Sequence, residues 1–167
     1  MRSRGILALA VFVGVLWTPA VPYEVPANSS DIKTSTDIAV VVNPKNPMED
    51  ISLSALKKII LGEQRLWPSK LKVAIALRVS GARERDIVLN QVTHMTDAEF
   101  KKSWMSLLFR GEADAEPFSA PSNGASSSFV EVNPGGIAFM PGTDVRLDLK
   151  VLKVNGLKPG DPNYPLK

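Results

Sequence analysis

LKVAIALRVSGARERDIVLNQV, residues 71–92, passes from a continuous apolar run to a helical spacing, and that change decides the fold. Residues 71–77 are apolar apart from Lys72, which reads as a strand buried on both faces rather than an alternating surface strand. Ser80 and Gly81 supply small turn residues. From there Ala82, Val88, Leu89 and Val92 fall on one side of a helix, which predicts a helix over 82–92. A strand that turns straight into a helix is the building block of an α/β sheet.

Upstream, IAVVV at residues 38–42 is a second short buried strand, stopped by Asn43-Pro44. Ser52 can cap a helix in which Leu53, Leu56, Ile59 and Ile60 share a face, Lys57 and Lys58 face water, and Gly62 ends the run. The order strand, helix, strand reads as a βαβ unit with parallel strands. Downstream, Thr96-Asp97-Ala98-Glu99 offers a capping box, and the helix it opens carries Phe100, Trp104, Leu107 and Leu108 as a core-facing stripe. Residues 111–128 read as loop, with little apolar matter beyond Phe118. Asn133-Pro134-Gly135-Gly136 reverses the chain into a strand at 136–140, and 149–154 reads as another. No internal repeat is present, and 167 residues suit one domain of about this size.

The start of the chain is of a different kind. Arg2 and Arg4 precede thirteen apolar or glycine residues, 5–17, and a proline-broken stretch with small residues. That is the pattern of a secretory signal peptide, and the run is shorter than the roughly 20 residues of a membrane-spanning helix. Cleavage after Ala20 or Ala27 fits, with Ala27 preferred. The chain thus divides into a signal peptide at 1–27, a polar flexible leader at 28–36 and one domain at 37–167, placed in the periplasm or outside the cell. Taking Arg2, Arg4 and Glu24 from the 20 basic and 17 acidic residues leaves a net charge of about +2. The basic residues are scattered and not interleaved with aromatics, so nucleic acid is not an expected partner. Without cysteine the exported domain has no disulfide and is held by its core alone.

Six segments in order resemble the substrate-binding proteins of phosphate ABC importers, which have the type II periplasmic binding protein fold. They are VVVNPKNP, IILGEQRLWP, the Ser80-Gly81 turn into an arginine-bearing helix, WMSLLFRG, VNPGGIAFM and VLKVNGLKPGDPNYPL. In that order they are spread across nearly all of residues 37–166. The resemblance implies an α/β domain of one lobe, a mostly parallel sheet flanked by helices, since most of the family's first lobe has no counterpart here. It implies phosphate or a similar oxyanion as ligand, and a membrane transporter or envelope protein as a further partner.

Chemistry has one natural place in this sequence. A helix opening after a strand presents free amides and roughly half a positive charge, which suits an oxyanion. In the family that turn carries an arginine and then Ser-Gly-Thr. Here Ser80 and Gly81 match, Ala82 replaces the threonine hydroxyl, and Arg78 stands closer to the serine than in the family. The candidate ligand residues are therefore Arg78, Ser80, Gly81, Ala82, Arg83 and Arg85. A plain helix start with arginines on a wet face is the other reading of the same residues. Half a cleft leaves an anion in water, so binding is expected to be weak unless a homodimer closes it. A one-lobed envelope interaction module without a ligand is the alternative function. For catalysis the sequence offers no support: His94 is the one histidine, no Gly-x-Ser-x-Gly elbow occurs, and Glu84 and Asp86 project in different directions. No metal or cofactor is expected.

Overall fold

The computed structural model describes Ile32 and residues 34–167. The expected signal peptide lies outside them, as do residues 28–31 and 33 of the expected leader. The strands are β1 (Ile38–Val42), β2 (Asp50–Ile51), β3 (Ala74–Arg78), β4 (Phe118–Ala120), β5 (Gly136–Pro141) and β6 (Lys150–Val154). They form one sheet in the order β2-β6-β1-β5-β3-β4. β3 is parallel to both β4 and β5, and β2 is parallel to β6. Only β1 runs against its neighbours, β5 and β6. The sheet is thus mostly parallel, as expected.

The βαβ reading of the first three elements is corrected. β5 lies between β1 and β3, and β1 opposes both in direction. The reason is a reversal at 43–49 that the sequence marks only as a loop. Asn43 is buried there, its Nδ2 donating at 2.9 Å to the carbonyls of both Val130 and Glu131. The chain then returns as β2 on the far side of β6, and the parallel crossover runs from β2, not β1, to β3.

Four α-helices cover the sheet among the described residues: α1 (Leu53–Ile60), α2 (Arg83–Val88), α3 (Asp97–Phe109) and α4 (Asn123–Val132). A wider π turn, Leu89–Thr93, prolongs α2, so the helix expected over 82–92 is present. Alternation along β1 explains why it is apolar throughout. Ile38, Val40 and Val42 belong to a core with Leu56, Ile59, Val88, Phe100 and Trp104, whereas Ala39 and Val41 belong to a second core with Val130, Ala138 and Met140. Buried on both faces, the strand has no position for a polar side chain. In the stripe expected on α3, Phe100 and Trp104 are buried and Leu107 and Leu108 are half-buried.

Two elements lie inside the stretch expected to be loop, β4 and the start of α4. α4 was hidden because its inward residues include Ser126 and Ser127, small enough to bring the helix close to the sheet but not apolar. Gly135 locks the entry to β5. Its carbonyl accepts from Ala74 N and from Trp67 Nε1, both at 3.0 Å, and a Cβ there would stand 1.9 Å from the Lys72 carbonyl oxygen.

Candidate oxyanion site

The parallel strands β3, β4 and β5 end on the same side of the sheet, where α/β folds place ligands. β3 leads through Val79-Ser80-Gly81-Ala82 into α2, and β4 leads through Pro121-Ser122 into α4, so two helix starts lie side by side. Val79 N donates to Ala120 O at 3.1 Å, tying the two exits together, and Ala82 N closes the turn on Val79 O at 3.2 Å. Gly81 has φ +81, a conformation that other residues adopt only under strain. Both Ser80 and Gly81 are exposed.

The three arginines have different surroundings. Arg78 is built into the fold: its Nη1 donates to Asn123 Oδ1 at 2.8 Å, its Nη2 to Pro121 O at 3.2 Å and its Nε to Ala120 O at 3.3 Å. Glu84 lies 3.6 Å from it. Arg85 is buried, with Nε donating to Asp97 Oδ1 at 2.6 Å and its guanidinium 5.3 Å from the centre of the Phe100 ring. Arg83 stays exposed, and its Nη1 donates to the Thr36 carbonyl at 3.1 Å. The Ser80 hydroxyl donates to Asp97 Oδ2 at 2.9 Å. Ala82, at the cap position of α2, makes no side-chain hydrogen bond there.

Sequence reasoning missed the acids and amides around the turn. Asp97, read only as part of the α3 capping box, also receives Lys101 Nζ at 2.7 Å. Burial works to raise its carboxyl; hydrogen bonds from Lys101, Arg85 and Ser80, with the Arg85 charge, outweigh that and hold it at about 2. Asn123 bridges the two helix starts, its Nδ2 donating to Glu84 Oε1 at 2.9 Å and to Asp144 Oδ2 at 2.6 Å. The one signal in the sequence was Ser122-Asn123-Gly124, a cap-like triplet inside the supposed loop.

Away from this site, a crevice of about 320 Å³ opens where β3 begins, lined by Ile59, Trp104, Phe118, Phe129, Arg65 and Lys72 among others. It contains none of the six candidate residues. His94 is exposed, in a left-handed conformation, with Nδ1 2.9 Å from Asn90 O.

No protein-family model matches the chain. Solved structures do resemble it. One is a putative phosphate ABC transporter substrate-binding protein from Clostridium perfringens, with bound phosphate, at TM-score 0.60 and 20% identity over 74% of this chain and 46% of that one. An ABC-type phosphate transport receptor from Vibrio cholerae gives TM-score 0.60 and 19% identity over 74% and 48%. PstS from Borrelia burgdorferi gives 0.59 and 16% over 78% and 53%. The chain thus has the fold of phosphate ABC transporter substrate-binding proteins and spans about half the length of those it matches.

Proposed function

We propose that the chain is an exported binding protein that takes phosphate or a related oxyanion weakly at the Ser80 turn, as an accessory to phosphate ABC import. One observation carries the site. α2 starts without a side-chain cap, whereas Ser52, Thr96 and Ser122 cap α1, α3 and α4. The amides at its start are therefore left to water or to a ligand, with Ser80 and Gly81 exposed in front of them and Arg83 beside them. Kinship of fold with phosphate-binding proteins, one of them solved with phosphate bound, supports the ligand class. Export rests on the basic and apolar start of the sequence, and no helix of the described residues is long and apolar enough to cross a membrane.

Affinity is low on this reading. Arg78, Arg85 and the Ser80 hydroxyl are already engaged, and hydrogen bonds made in water contribute only about 0.5–1.5 kcal/mol each. A binding free energy of about 4 kcal/mol corresponds to a millimolar dissociation constant. A second copy facing the turn would tighten binding by excluding water. Phosphate titration followed at the Ser80 and Gly81 amides by NMR tests the reading. The expected result is a saturable shift around millimolar phosphate that sodium chloride does not reproduce and that Arg83→Ala weakens. Amides that stay still up to tens of millimolar phosphate overturn it.

A second reading, an envelope interaction module, has its own observation. Met105 and Phe109 lie one turn apart on α3 and are 52% and 87% exposed. A photo-crosslinking residue at 109 tests it in the producing cell: a discrete crosslinked envelope protein is the expected result, and none at all removes this reading.

A further inference from the structure

The Ser80 turn already faces an anion, and that anion is part of the chain. Asp97 presents Oδ1 to Arg85 Nε at 2.6 Å, and Oδ2 to Ser80 Oγ at 2.9 Å and Lys101 Nζ at 2.7 Å. Two cations and a hydroxyl around two carboxylate oxygens form the kind of charge-assisted donor set that also binds phosphate or sulfate. The set is fixed from behind. Arg85 is 6% exposed, its Nη1 donates to the Arg78 carbonyl at 3.1 Å, and its guanidinium lies against Phe100. Arg85 therefore keeps its place whether or not Asp97 carries a charge, and a buried guanidinium left without a counter-ion is strongly unfavourable.

We propose that Asp97 is an internal anion that decides whether this turn accepts a free oxyanion. While its carboxylate is present, Ser80 Oγ, Arg85 Nε and Lys101 Nζ are closed to phosphate and sulfate, and only the backbone amides and the exposed Arg83, one of whose nitrogens is held by Thr36 O, remain for it. Once the carboxylate is removed, the same three groups take an oxyanion from solution. The inference rests on the oxyanion reading of the turn and names the residue that sets its occupancy.

The test compares thermal unfolding of the full chain with that of Asp97→Ala and Asp97→Asn, in sodium sulfate or phosphate against sodium chloride at matched ionic strength. Asp97→Ala makes room for the anion. It should melt below the parent in chloride and regain about 5 °C more than the parent does on adding about 50 mM sulfate or phosphate. Asp97→Asn fills the space with a neutral group and should show no more response than the parent. Equal responses of Asp97→Ala and parent overturn the inference. If Asp97→Ala does not fold in either salt, the parent decides the matter through the Arg85 Nε–H resonance. That signal is expected to stay in place up to tens of millimolar phosphate, and movement in that range shows that Asp97 does not exclude the anion. Failure of the wild-type binding reading appears separately, at the parent's Ser80 and Gly81 amides.

Discussion

Trp104 is held at both ends of its indole: the ring packs against Phe100, with centroids 6.2 Å apart, and Nε1 donates to the Ile60 carbonyl at 3.1 Å. Replacement by alanine removes a large buried aromatic and leaves that carbonyl unpaired, so Trp104→Ala should lose about 3–5 kcal/mol in urea unfolding, with Trp104→Phe between it and the parent. Asp97 sets a pH dependence. Its carboxyl titrates at about 2 in the fold against 3.8 for the free group, so the folded state favours the charged form. Its contribution is therefore complete above the free value and is lost as pH falls from about 4 through about 2. The stability gap between the parent and Asp97→Asn should be constant above about pH 5, shrink between about pH 4 and 2 and close below about pH 2, which urea titrations across that range would read. These two residues differ in how far the sequence discloses them. Trp104 declares its burial through three apolar neighbours at helical spacing, Phe100, Leu107 and Leu108, a local signal. Asp97 looks like one more acid in a first turn, because its partner Arg85 is twelve residues away and nothing local records that contact.

α3 opens on the capping box that its sequence spells. Thr96 Oγ1 accepts from Glu99 N at 3.3 Å, and Glu99 Oε2 accepts from Thr96 N at 2.8 Å. Thr96→Ala should cost about 1 kcal/mol and raise amide exchange mainly in the first turn of α3. Hydrogen bonds from the Thr96 backbone and side chain also lower the Glu99 carboxyl from its usual range. Such a start is legible because every participant lies within four residues. β2, with two residues, and β4, with three, are not legible, since they are strands only by virtue of neighbours supplied by distant sequence. The direction of β1 belongs with them. Its apolar run reveals burial on both faces, whereas its opposition to β5 and β6 is fixed by a reversal at Asn43 whose partners are the carbonyls of Val130 and Glu131.

Across the whole molecule, the segment 164–166 clasps the first strand. The Tyr164 hydroxyl donates to Ile38 O at 2.8 Å, and Ile38 N donates to Leu166 O at 2.8 Å. Burial, with the nearby Asp37 charge, raises the Tyr164 phenol well above its usual value, so it stays a donor at any physiological pH. Tyr164→Phe should cost about 1–3 kcal/mol by leaving the buried Ile38 carbonyl unpaired, measurable as a lowered urea midpoint with an unchanged slope. The position of β1 also governs when the molecule can form. Its register pairs Val40 with Phe139 on one side and Leu152 on the other, so the strand at the centre of the sheet leaves the ribosome about a hundred residues before either neighbour. Until then IAVVV has nothing to pair with, and closing so long a loop slows folding. A fragment ending at Asn133 should therefore show no slowed amide exchange at Ile38–Val42. A chain whose core strand must wait for residues 136–154 remains threadable until they have been made, the state in which a polypeptide can pass a narrow translocation pore before it folds.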